Sequence, residues 1–141
     1  MTEQLAAALA AEEAAIYAYG VIGVHLENTD EVSRARSADL EHRARRDALV
    51  ARLDQLKAST APQPAAYRLP FEVTDREGAL KLAVHVEDGV AQAWRALLAV
   101  TEGDERTDAL SHLTDSAVRA TRWRRISEVT PLTMAFPGRP G

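Results

Sequence analysis

Apolar residues recur with helical spacing along four stretches of the chain, and signals that start or stop a helix separate them. In the first, about 2–28, Leu5, Leu9, Ile16 and Leu26 keep a 4-3 spacing within an alanine-rich run, the pattern of a long bundle helix. The polar turn Asn28-Thr29-Asp30 offers N-cap side chains to a second helix, about 30–59, whose apolar stripe is marked by Leu49, Leu53 and Leu56. Thr74-Asp75-Arg76-Glu77 reads as a capping box with Thr74 as the cap, and it opens a third helix, about 75–102, that ends near Gly103. A fourth runs over about 104–128 until Pro131 stops it. In the tail, 129–141, the apolar Leu132 to Phe136 precede Pro137-Gly138, and this segment is expected to fold back over the helices or onto a second subunit.

The stretch between the second and third helices is of another kind. Pro62, Pro64 and Pro70 exclude a helix interior and favour extended backbone. At about 3.3 Å per residue the 61–73 segment reaches roughly 40 Å, against roughly 45 Å for the second helix. These features together predict an all-α protein, one domain over 1–141, built as a ferritin-like four-helix bundle with a long Pro-rich crossover between helices two and three.

Composition narrows the chemistry. The 141-residue chain has no cysteine, so disulfides and thiolate chemistry are excluded and only carboxylate and imidazole remain as strong metal ligands. Acids stand near the N-terminus where a signal peptide needs positive charge, and no stretch approaches the length of a membrane span, so a cytoplasmic protein without a membrane partner is expected. The formal net charge of −4 lacks the basic field of a general nucleic-acid binder.

Candidate chemistry lies where the stripes turn polar. On helix one the stripe Leu5, Leu9, Glu12, Ile16, Tyr19, Gly23, Leu26 carries Glu12, and on helix three Leu80, Val84, Glu87, Ala91, Trp94, Leu98 carries Glu87. Extending the leucines of helix two backwards gives Arg46, His42, Asp39 and Ala35, with Glu41 and Arg45 on the flanks. Di-iron bundles use one Glu from each of two helices and a Glu-x-x-His unit from each of the other two. Helix four does not supply its unit, for its stripe is Ala109, Leu113, Ser116, Ala120, Trp123 and Asp115 points away from it.

Buried acids need a partner, and two readings follow. In the first, Glu12, Tyr19, Glu41, His42, Arg45, Arg46 and Glu87 form a buried polar cluster in which arginine supplies the countercharge and no cofactor is held. In the second, Glu12, Asp39, Glu41, His42 and Glu87 hold iron or manganese in an oxidoreductase or a metal store. A third possibility rests on Arg119, Arg122, Arg124 and Arg125 around Trp123, which would contact an anion, RNA or a ribosome. The first is preferred, as a non-catalytic binding or structural protein and a homodimer.

Six short motifs occur in order along the chain: AAEEAAIYAYG at 10–20, EHRARRDAL at 41–49, AAYRLPF at 65–71, AQAWRALL at 91–98, AVRATRWR at 117–124 and TMAFPG at 133–138. In these the chain resembles the ferritin-like domain of unknown function found in actinobacterial proteins. The resemblance implies a ferritin-like fold without an established activity, and a degenerate di-iron site. Glu13 stands where the resembled pattern has histidine.

Overall fold

In the computed structural model, which describes residues 1–60, 62, 64 and 67–140, the chain forms α1 (Thr2–Val24), α2 (Thr29–Gln55), α3 (Arg76–Leu98) and α4 (Gly103–Ile126). No strand occurs among the described residues. Asn28 caps α2, its side chain accepting from the Asp30 and Glu31 amides at 2.9 and 3.1 Å. The cap of α3 is Asp75 and not Thr74, accepting from the Gly78 amide at 2.8 Å. That places the helix start one residue later than a Thr-x-x-Glu box does.

Helices α2 and α4 stop short of the expected boundaries for one shared reason. Lys57 and Glu128 adopt left-handed φ of 53° and 58°. Behind each, two amides turn back on the last helical carbonyls: Lys57 to Asp54 and Ala58 to Leu53 after α2, Glu128 to Arg125 and Val129 to Arg124 after α4. This double bond pattern ends a helix whatever residue occupies the left-handed position. Glycine usually marks it in a sequence, and Lys and Glu do not.

Helix α1 packs on α2 and α3, and α3 packs on α4, whereas no Cα of α2 comes within 8 Å of a Cα of α4. Arg76, in the first turn of α3, makes a two-pronged ion pair with Glu31 in the first turn of α2, at 2.8 and 2.9 Å. The two helices therefore begin at the same end of the molecule.

The apolar core is divided. One cluster gathers Tyr19, Ile22, Leu26, Ala38, Leu80, Ala83 and Trp123, and the other gathers Leu5, Leu9, Leu49, Leu53, Val90, Trp94 and Leu97. Between them lies a polar layer of Glu12, His42, Arg45, Glu87 and Ser116, all buried.

One expectation needs correction here. Helix α1 does have the length and composition of a membrane-crossing helix, with a mean hydropathy of 1.4 over its most apolar window. Its alanines raise that mean. In this fold the helix packs between α2 and α3 with Glu12 inside. The tail also differs in detail: Met134 and Phe136 stay partly exposed, and Gly138 is the buried contact.

Candidate functional site

His42 occupies the centre of the polar layer and is fully buried, as are Glu12 and Glu87. Its Nδ1 contacts Glu12 Oε2 and its Nε2 lies 2.8 Å from Glu87 Oε1, so one imidazole from α2 joins the acids of α1 and α3. Around this bridge the hydrogen bonds continue in both directions. The Trp94 indole N–H donates to Glu12 Oε1 at 2.7 Å. On the other side Tyr19 donates to Glu87 Oε1 at 2.7 Å, and the Trp123 indole N–H donates to the Tyr19 oxygen at 3.0 Å. The Tyr19 ring also stacks on His42, with centroids 5.6 Å apart.

The protonation state follows from these contacts. Burial pulls the His42 pKa down, but the hydrogen bonds to Glu12 and Glu87 and their charges outweigh it and raise the value from 6.5 to about 9. A doubly protonated ring donates from both nitrogens, which is what two flanking carboxylates require. For Glu87, burial raises the pKa, and His42, Arg119 and the Tyr19 hydroxyl together pull it below the ordinary value. Tyr19 is pushed well above its ordinary value, first by burial and then by the Glu87 charge, and stays a neutral donor.

Two arginines complete the neutralisation. Arg45, almost fully buried, donates from Nη1 to Ser116 Oγ at 3.0 Å, with the same nitrogen 3.6 Å from Glu12 Oε1. Its Nη2 lies 3.5 Å from Glu41 and 3.7 Å from Asp115. Arg119 reaches in from α4, pairing with Glu41 and lying 3.6 Å from Glu87 Oε1. Ser116 is thus the α4 side chain in the layer, and it accepts from the guanidinium of Arg45.

Of the expected cluster, Glu12, Tyr19, His42, Arg45 and Glu87 lie together, Glu41 sits at the partly exposed rim, and Arg46 is outside. Arg46 is on the surface beside Asp47. Asp39, a candidate metal ligand, is likewise outside, its carboxylate bound by Arg43 Nε at 2.9 Å. Both corrections have one cause. With about 100° per residue, Arg45 lies about 60° to one side of His42 and Arg46 about 40° to the other, with Asp39 on Arg46's side. The buried positions are Glu31, Ala35, Ala38, His42, Arg45, Leu49 and Leu53, so the stripe leans toward Arg45.

The candidate metal set does not assemble. Among the described residues no group of three or more His, Asp or Glu side chains is placed to hold a metal ion. Glu41 is turned to the arginines, Asp39 faces outward, and each nitrogen of His42 is already engaged by a carboxylate. The donor set does not fit a pair of metal ions.

The arginine patch of α4 divides as well. Arg119 belongs to the buried layer and Arg124 is buried against Asp88, while Arg122 and Arg125 remain exposed. A basic run along the sequence is spread around the helix by its 3.6-residue turn. Besides Ser116, three participants lie outside the expected cluster: the indole N–H groups of Trp94 and Trp123, which stand on apolar stripes, and Arg119, expected to contact an anion or RNA. Ser116 within the α4 apolar stripe was the available signal, since a buried hydroxyl needs a partner.

Comparison with known proteins places the chain in a family. The chain matches the family described as Domain of unknown function (DUF4439) over residues 4–141 and belongs to it. Its fold is similar to the crystal structure of a conserved hypothetical protein, rv2844, from Mycobacterium tuberculosis, at 38% identity and a TM-score of 0.82, covering 88% of this chain and 94% of that one. No curated protein matches the chain.

Proposed function

We propose, for this member of a family of unknown function, a non-catalytic ferritin-like binding or structural role, with a buried Glu/His/Arg network in the place of a di-iron centre. The observation that carries the reading is the bridging of Glu12 and Glu87 by His42 through both ring nitrogens. In a metal site those carboxylates and that imidazole would point at ions. Here the imidazole bonds one oxygen of each acid, and Arg45 and Arg119 supply the positive charge that metal would bring, while Glu87 Oε2 is left without a hydrogen-bond partner among the described residues.

The ferritin-like assignment is supported by the Arg76–Glu31 pair, which starts α3 at the end where α2 starts. The chain after Gln55 must then return along the bundle, the route of a crossover with prolines in it. Residues 61, 63, 65 and 66 of that segment lie outside the described residues. The protein is further proposed to be cytoplasmic and to act as a homodimer.

The test is metal analysis of protein purified from cells supplied with iron or manganese. The expected result is substoichiometric metal and a melting temperature that does not respond to either ion. Stoichiometric iron or manganese that disappears in Glu12→Ala and Glu87→Ala would overturn the reading in favour of a metal-binding oxidoreductase or store.

A further inference from the structure

A second site lies behind the polar layer, on the outer side of α3 and α4. Asp88 follows Glu87 and Arg124 follows Trp123, so each is turned about 100° from an inward-facing residue. The two form an ion pair at the base of a cavity of about 410 Å³ between the helices and the C-terminal tail. That volume is in the range of small-ligand pockets.

The walls are mainly apolar, with Leu113, Ala117 and Val118 on α4 and Met134 on the tail. The tail wall is firmly seated. Gly138, at φ +77°, packs so closely on α3 that a Cβ there would lie 2.7 Å from the Ala91 carbonyl oxygen. Arg95 Nη1 also donates to the Pro137 carbonyl at 3.2 Å.

The base of the cavity shows an incomplete hydrogen-bond account. Arg124 is 8% exposed, and its Nη2 serves both Asp88 and the Met134 sulfur. Its Nε and Nη1 meet no acceptor among the described residues. A guanidinium that lines the cavity from a nearly buried position, with donors beyond the one Asp88 uses, selects a planar anion. Apolar walls above it select a hydrocarbon or aromatic body, and they disfavour a second charge.

We propose that this cavity binds a small amphipathic monocarboxylic acid, its carboxylate on Arg124 and its apolar body along Leu113, Ala117 and Val118. Asp88 is the internal acid that holds Arg124 until the ligand arrives. The Asp88 side chain is 35% exposed, so the displaced carboxylate can turn to water.

Calorimetric titration of the full chain with octanoate, and with octanol as the neutral control, tests the site. Saturable one-to-one octanoate binding is expected, at least tenfold tighter than octanol. Arg124→Gln should weaken it tenfold or more, and Asp88→Asn, which removes the internal competitor's charge, should tighten it severalfold. Ala117→Trp fills the cavity from a partly exposed helix position and should abolish binding without lowering the melting temperature. Octanol binding as tightly as octanoate, non-saturating octanoate heats, or undiminished binding in Ala117→Trp or Arg124→Gln would each overturn the proposal.

Discussion

The side of the bundle between α1 and α3 and the side between α2 and α4 are built by opposite means. Alanines dominate the first: Ala8, Ala15 and Ala18 on one helix and Ala79 and Ala83 on the other are buried, and small side chains let the backbones approach. On the second no Cα pair comes within 8 Å, and arginines span the space, Arg45 to Ser116, Arg119 to Glu41 and Arg52 to Glu105. The wide seam is what admits a guanidinium to the polar layer. Two guanidinium groups thus reach the buried acids from both edges of this seam, Arg45 from α2 and Arg119 from α4.

The largest expected effect comes from cutting a strut. Arg45→Ala leaves Glu12 and Ser116 short of a buried partner and is expected to cost about 3–5 kcal/mol in urea denaturation. Its neighbour Arg46→Ala should cost no more than about 0.5 kcal/mol, as a solvated pair does. Equal losses at the two positions would remove the distinction between strut and surface.

Next is pH. His42 has a folded pKa above its ordinary value, so its contribution is fully present below pH 6.5 and is lost as pH rises through about 9. The total is roughly 3 kcal/mol at about 1.4 kcal/mol per pKa unit. Glu87 has a lowered pKa and acts in the opposite sense: its contribution is present above its ordinary 4.5 and is lost on acidification. Stability should peak between these limits, and in His42→Leu the alkaline decline should vanish. A decline that persists unchanged in that variant would assign it to other groups.

The alanine side is probed by adding bulk. Ala83→Leu is expected to cost about 1–3 kcal/mol through overpacking, and an unchanged melting curve would show that this side has room to spare. Within the polar layer the smallest effect belongs to Tyr19→Phe, at about 1–2 kcal/mol, because Glu87 loses one donor and the Trp123 N–H loses its acceptor while the ring stays. A loss as large as that of Arg45→Ala would mean that Tyr19 holds the layer together.

Much of this was legible in the chain, and the reasons for the rest are physical. Glu12 and Glu87 could be found because each is a lone acid in an otherwise apolar stripe. Helix α2 was harder. Its leucines lie in its last turns, and extending their stripe backwards meets a choice at every turn between the third and fourth residue. Choosing Asp39 and Arg46 over Ala38 and Arg45 moves the stripe only a few tens of degrees, yet it exchanges the buried set. The indole N–H groups stayed hidden because Trp94 and Trp123 satisfy an apolar pattern and a polar bond at once. The helix ends at Lys57 and Glu128 gave no signal, as neither residue favours the conformation it holds.

The bridging imidazole has a consequence for the act of folding itself. An unfolded histidine is mostly neutral at pH 7.5, whereas His42 in its two-carboxylate cradle is protonated, so the native chain carries one unit less negative charge than the formal −4. Folding near neutral pH therefore consumes close to one proton from the medium. The heat measured for it will change with the ionisation enthalpy of the buffer, and the slope of that dependence counts the proton trapped between Glu12 and Glu87.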